Sequence, residues 1–251
     1  MQYFTIDRRQ AKLDARGAMH SHRPSVYLIA FVFLLISLVL TALDNRLQMP
    51  QLTEQQVMGI LAQDEAAIRQ FLIASEQNRS FAGSILSIAI AVMTVMLTGG
   101  FSLACYNVAR GQAANVGTLF ELFNWFFRFL WLEILQAIFI FLWSLLLVVP
   151  GIVAAYRYSM APYIFFDDPE KGALQCIRES KEMTRGFKGQ LFVLDLSFIG
   201  WFLLSLIPLV SIFVLPYYDV TKANFYRALA DPFYGQPQQP GPGSYDGRWN
   251  P

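Results

Sequence analysis

The chain has 251 residues, of which 55% are hydrophobic and 15% charged, against about 25% charged in a typical soluble domain. A water-soluble core cannot hide that apolar surplus. The net charge of +1 supplies no broad positive field for nucleic acid, and two cysteines, Cys105 and Cys176, make no disulfide framework.

The N-terminal segment, residues 1–24, is basic and polar and precedes the first apolar run. It has no short apolar stretch followed by a small-residue cleavage site, so that run is expected to remain as a span. A helix crossing ~30 Å of hydrocarbon needs about 20 mostly apolar residues, because all its backbone polar groups must be satisfied internally. Residues 25–43 carry no charge and fit this requirement. Residues 44–80 follow as an external loop in which Leu52, Val57, Ile60, Leu61, Ile68, Phe71 and Leu72 recur at helical spacing, predicting one or two surface helices. The second span, 81–106, contains Gly83, Gly99 and Gly100, small residues that let membrane helices approach closely.

Residues 124–166 are long enough for two spans, 124–149 and 151–166, reversing at Pro150-Gly151. Proline there breaks the hydrogen-bond ladder and glycine permits the turn. A second hairpin, 190–207 and 209–228, reverses at Pro208. Trp143 and Trp201 each stand seven residues before their proline, and both hairpins end in Asp-Pro. This is a faint echo of repetition, which the frequency of aromatic residues near membrane turns also accounts for. The fold class expected is thus all-α, a polytopic membrane bundle of about six spans arranged as hairpins.

Lysine and arginine are retained on the cytoplasmic side. Fifteen of the 19 basic residues lie in the N-terminal segment, the connections around Arg110–Arg128 and Lys171–Lys188, and the C-terminal stretch, whereas the turns at Pro150 and Pro208 have none. Both termini are therefore expected in the cytosol. Between the hairpins, residues 170–188 place Ala173, Ile177, Ser180, Thr184 and Phe187 on one stripe, predicting an amphipathic cytosolic helix along the membrane surface. Residues 231–251, rich in Pro, Gly and Gln, are expected to be a disordered tail.

Ionisable groups within spans are costly and so are functional candidates. Arg128 and Glu133 count out near the cytosolic boundary and read as interfacial anchors. Asp195 and Lys222 stand nearly level across the second hairpin and are expected to form an intramembrane ion pair. Arg157 has no acidic partner in its hairpin and, with Lys181, Arg185 and Lys188, is a candidate contact for lipid or a protein partner. Five neighbouring acids, Asp167, Asp168, Glu170, Glu179 and Glu182, are expected to offset much of that charge.

No nucleophile pattern, phosphate loop or zinc-type spacing is found, and His20 and His22 stand together in the N-terminal segment without a third metal ligand. Neither catalytic residues, a metal nor a cofactor is expected. The leading reading is a non-enzymatic membrane protein that binds or organises lipid or membrane-protein partners. The alternative is a small-molecule or peptide transporter, or a subunit of one, in which Arg157, Asp195, Asp219 and Lys222 line a pathway.

From Ser180 the chain runs SKEMTRGFKGQLFVLDLSFIGWFLLS, later PYYDVTKANFYRAL, and upstream VVPGIVAAYRYSMAPYIFFDDPEKGALQCIRESKEM. These segments resemble a bacterial membrane-protein family known as domain of unknown function 975 (DUF975), the likeness extending over most of residues 4 to 230. The resemblance implies a multi-span protein of the bacterial cytoplasmic membrane and carries no catalytic residues with it. A Pro/Gly tail and the turn Ile207-Pro208-Leu209 depart from the family pattern.

Overall fold

An uncharged run closes its own backbone hydrogen bonds as a helix, and the longest helices form where the sequence is most apolar. The computed structural model describes residues 8–21, 25–48, 54–62, 64–77, 81–205 and 207–235, and no strand occurs among them. In chain order the helices are α1 (Arg8–Ser21), α2 (Ser25–Gln48), α3 (Glu54–Leu61), α4 (Glu65–Gln77), α5 (Phe81–Ala109), α6 (Thr118–Glu121), α7 (Phe126–Leu146), α8 (Val148–Tyr158), α9 (Ala161–Asp167), α10 (Ala173–Met183), α11 (Lys188–Leu196), α12 (Ile199–Leu204) and α13 (Pro208–Gly235). A 3₁₀ turn, Leu122–Trp125, joins α6 to α7. Three stretches, Val26–Leu47, Gly83–Ala109 and Thr118–Leu146, are long and apolar enough to cross a membrane. Large side chains on their outer faces, such as Leu38, Phe141 and Leu145, are exposed. An apolar surface of this extent is incompatible with water and matches acyl chains.

The core forms where α5 and α13 pack on one another, with α2, α1 and α6 around them. Helices in lipid gain little from the hydrophobic effect and associate through close packing. Accordingly, a Cβ on Gly100 would stand 2.0 Å from the carbonyl oxygen of Leu119, and one on Gly99 would stand 2.5 Å from the Phe129 ring. These two glycines admit the α6 backbone and the start of α7 against α5. On the other side of α5, Phe101 stacks on Phe33 of α2 with centroids 4.6 Å apart.

The hairpins differ from their predicted form. The first reverses at Leu147, whose backbone is extended, and Pro150 falls in the first turn of α8, where a missing N–H costs nothing. Gly151 serves close contact instead of the turn: its Cβ would lie 2.1 Å from Oγ of Ser144 in α7. The returning arm predicted as one span, 151–166, is broken into α8 and α9 at Ser159-Met160, because Pro162 in the first turn of α9 cannot continue an incoming helix. The arm predicted as 190–207 is likewise split into α11 and α12. There the Ser197 hydroxyl bonds back to the Leu194 carbonyl, a local bond that competes with the helix ladder. The second reversal lies before Pro208, which opens α13. The faint repetition has no counterpart, since Asp168 terminates α9 whereas Asp231-Pro232 lies inside α13.

Both ends of the chain are more ordered than their composition suggests. Residues 8–21 of the basic segment form α1, whose stripe Ala11, Ala15 and Met19 is buried against α13 and α5. The side-chain amide of Asn224 donates to the Ala11 carbonyl at 3.3 Å. The tail predicted from residue 231 is helical through Gly235, because the Tyr234 hydroxyl bonds Glu179 at 2.6 Å and its ring lies under the Lys171 ammonium. Residues 236–251 lie outside the described residues, as does His22. The stripe predicted for 170–188 faces inward in α10, but protein covers it, not lipid: Ile177, Ser180 and Thr184 are buried among α7, α8 and α9.

Gly100→Ala should therefore lower stability by about 1–3 kcal/mol, the usual range for overpacking, because the clash is with backbone. Gly200→Ala, with nothing within 4 Å of the added Cβ, should be neutral or slightly stabilising. Thermal unfolding of the two variants in the same detergent compares them, and equal melting temperatures would refute the close approach of α6 to α5.

Candidate functional site

The charged groups of the cytosol-predicted elements separate into a paired half and an unpaired half. In the paired half, Asp167 at the end of α9 accepts hydrogen bonds from Tyr106 at 2.5 Å and Tyr226 at 2.6 Å and forms an ion pair with Arg110 at 2.7 Å. These bonds tie the ends of α5, α9 and α13 together. Arg128 pairs with Glu170 at 2.7 Å. Asp168 accepts from the Glu170 amide. Glu179 in α10 gathers Lys171 at 3.0 Å, Gln175 at 2.8 Å and Tyr234 at 2.6 Å.

Four of the five acids expected to offset the basic residues are thus engaged with other partners. What remains is a cationic cluster at the junction of α8, the end of α10 and the start of α11. Lys181 and Arg185 are exposed, Arg157 and Lys188 partly buried. Burial, followed by the charges of Arg157, Arg185 and Lys181, pushes the Lys188 ammonium below its ordinary pKa, so the four sites that sequence reasoning selected act on one another in space. None of them belongs to an ion pair among the described residues. Gly186, at φ +90°, makes the turn that places Arg185 and Lys188 on either side of it. The Arg157 guanidinium lies 5.9 Å from the Trp143 ring centroid, and its Nε is buried without a hydrogen-bond partner.

The backbone under this cluster is fixed by α10. The Ser180 hydroxyl donates to the Arg157 carbonyl at 2.8 Å and accepts from the Met160 amide at 3.2 Å. The Thr184 hydroxyl also approaches the Arg157 carbonyl, at 3.3 Å. Both side chains are fully buried, so the break between α8 and α9 is satisfied from a third helix.

The predicted pair of Asp195 and Lys222 does not form directly. Tyr218 stands between the two: its hydroxyl donates to Asp195 at 3.0 Å, and the Lys222 ammonium lies 5.8 Å from its ring centroid. A tyrosine one helical turn before the lysine was the available signal for this arrangement, because its long polar-tipped ring reaches farther than the lysine's approach requires. Glu133, read from the sequence as an interfacial anchor, is half-buried in α7. It lies near the middle of Thr118–Leu146 and opens on a cavity of about 210 Å³ with Thr94, Thr98 and Ser102 of α5. Arg157, Asp195, Asp219 and Lys222 do not line that cavity. Among the described residues no group of three or more His, Cys, Asp or Glu side chains could hold a metal. Both cysteines are buried and free, and burial together with the Glu179 charge pushes the Cys176 thiol up to about 12.

Burial pushes the Glu179 carboxyl upward, but the hydrogen bonds from Tyr234, Gln175 and Lys171 and the Lys171 charge outweigh it and hold the pKa below 4.5. A carboxyl depressed by folding contributes stability that is complete above its unfolded value and lost as pH falls through its folded value. The docking of the end of α13 on α10 should therefore weaken below pH 4.5. Thermal unfolding from pH 7 to pH 3 should show a steeper acid loss for wild type than for Glu179→Gln. Parallel curves would remove Glu179 from the acid response.

A family model described as protein of unknown function (DUF975) matches residues 144–232, from the last turn of α7 into α13. No curated protein and no solved structure matches the chain. The likeness read over residues 4 to 230 is thus carried by the C-terminal part, the part that holds the broken hairpins, α10 with its Ser180 and Thr184 clasp, and the cationic cluster. Over residues 144–232 the chain is similar to the DUF975 family.

Proposed function

We propose that the protein is a non-enzymatic, multi-span protein of a bacterial cytoplasmic membrane that binds anionic phospholipid at its cytosolic boundary and organises lipid or membrane-protein partners there. The observation that carries this reading is the gathering of Arg157, Lys181, Arg185 and Lys188 with no ion-paired acid. An uncompensated cluster is costly, and a phosphate offsets it with charge-assisted hydrogen bonds. Next to the cluster, Ile152 and Val153 of α8 and Phe192 and Val193 of α11 are exposed. Cations beside an apolar surface suit a ligand with an anionic head and acyl chains.

In this reading α2, α5 and the α6–α7 stretch cross the membrane outright. The interrupted arms α8–α9 and α11–α12, with α13, complete a six-crossing path with both termini in the cytosol. The concentration of Lys and Arg in the connections on one side supports that orientation. The enclosure of α13 by α1, α2 and α5 supports a crossing that carries Asp219 and Lys222 away from lipid.

Each basic residue near an anionic surface contributes about 1 kcal/mol. Replacing Lys181, Arg185 and Lys188 together with alanine should therefore cost about 3 kcal/mol, roughly a hundredfold in affinity. Native mass spectrometry of the gently solubilised chain should find phosphatidylglycerol or cardiolipin retained by wild type, and reduced in Arg157→Ala and in the triple variant. Equal retention in all three, with helical content unchanged by circular dichroism, would sink the lipid-binding reading.

A further inference from the structure

The cavity at Glu133 is separate from the cationic cluster and has the opposite chemistry. Thr94, Thr98 and Ser102 of α5 are spaced four residues apart and so share one helix face. That face and Glu133 of α7 border the cavity of about 210 Å³, together with Phe129, Pro162 and Phe166. The hydroxyl protons of Thr94 and Thr98 are already given to the carbonyls of Ile90 and Thr94, at 2.9 and 2.8 Å. Their oxygens therefore have only lone pairs left to offer. Glu133 makes no hydrogen bond or ion pair among the described residues, and the one charge acting on it, Lys222, stays outside ion-pair distance. An ionised carboxylate is likewise an acceptor only. Phe129 and Phe166 stack on one another with centroids 6.1 Å apart and form an apolar wall of the cavity.

We propose that this cavity binds an ammonium group: the –NH₃⁺ end of a small amphiphile, held by the Glu133 carboxylate and the Thr94 and Thr98 oxygens, with its apolar part against Phe129, Pro162 and Phe166. The complement follows from the donor count. With Glu133 ionised, every polar group free to act except the Ser102 hydroxyl is an acceptor, so a phosphate or carboxylate ligand meets the Glu133 charge and an alcohol supplies one donor where an ammonium supplies three. Glu133 lies 13 residues before the end of α7, about 20 Å along the helix axis at 1.5 Å per residue. It also stands near the centre of the apolar stretch Thr118–Leu146, and solute sites of membrane proteins are found near the midplane. A free amine is accordingly the expected source, with an ethanolamine lipid headgroup the other bearer of the same chemistry. The site does not depend on the anionic-lipid reading, because none of the four clustered cations lines it.

The test uses the full chain in neutral detergent, with binding of hexylammonium followed by saturation-transfer NMR and 1-hexanol and hexanoate as controls. Hexylammonium should bind wild type saturably, and at least tenfold more weakly to Glu133→Gln, while the two controls show no saturable binding. Thermal unfolding checks that the variant is folded. If Glu133→Gln does not fold, Thr94→Val with Thr98→Val decides the matter, and a threefold or greater loss is expected. In phosphatidylcholine nanodiscs, loss of hexylammonium binding on adding phosphatidylethanolamine would identify the lipid headgroup as the natural occupant. Unchanged binding would identify a free amine. The proposal is overturned if wild type shows no saturable binding, if hexanol binds as well as the amine, or if folded Glu133→Gln, or the folded double-valine variant where that one decides, binds as wild type does. Replacing Lys181, Arg185 and Lys188 should leave hexylammonium binding unchanged while anionic lipid is lost, so each reading can fail alone.

Discussion

A helix that breaks among apolar neighbours leaves amides and carbonyls that water cannot reach, and each must find a partner or cost the fold a kilocalorie or more. The arrangement of the C-terminal half depends on how this is met at the junction of α8 and α9. The Ser180 hydroxyl uses its proton on the Arg157 carbonyl and its lone pair on the Met160 amide, while the Thr184 hydroxyl donates to the Ser180 carbonyl at 2.8 Å and lies 3.3 Å from the Arg157 carbonyl. One turn of α10 thereby closes a gap in a different part of the chain. It also fixes α10 to α8, which brings Lys181 and Arg185 beside Arg157. The clustering of like charges is thus a consequence of backbone satisfaction, imposed at a place where electrostatics alone would push the cations apart.

The acids complete this separation of charge. Asp167 and Glu179 could have neutralised the cations, but each is committed to tyrosines and a local base that join helix ends. A carboxylate that accepts several hydrogen bonds is well satisfied where it is, so moving toward an arginine elsewhere would cost more than it returns. The bundle is closed at one end by acid–tyrosine contacts, and it is left electropositive where α10 meets α11. The residues at that junction belong to no ion pair among the described residues.

Much of this architecture was legible in the residues. Long apolar runs located α2, α5 and α7, because composition largely decides whether a segment tolerates lipid. Ala173, Ile177, Ser180 and Thr184 located the inner face of α10, because helical periodicity survives whatever covers it. Arg157 could be selected because its hairpin offers no acidic partner, and Lys181, Arg185 and Lys188 because they crowd one connection. The breaks at Ser159-Met160 and at Ser197 were not legible, since a seryl hydroxyl ends a helix only when a tertiary partner takes up the freed groups. The docking of α1 was hidden for a similar reason: Ala11, Ala15 and Met19 make a narrow stripe that means little until α13 presents a surface for it. The ion pair read between Asp195 and Lys222 had the right level but ignored the ring of Tyr218 that fills the space between them.

Glu133 shows most clearly why depth cannot be counted from a turn. Counted from Pro150 it falls near a membrane boundary, where an acid needs no explanation. The structure moves the reversal to Leu147 and lets α6 lie against Gly100, so the apolar stretch begins at Thr118 and its centre falls beside Glu133. The same close approach aligns the hydroxyl face of α5 with that carboxylate. A glycine pair chosen for backbone contact therefore also determines which polar groups meet inside the bundle. The cost of holding an acid there is met either by a proton or by a cation from outside, and these alternatives differ in whether the cavity has an occupant.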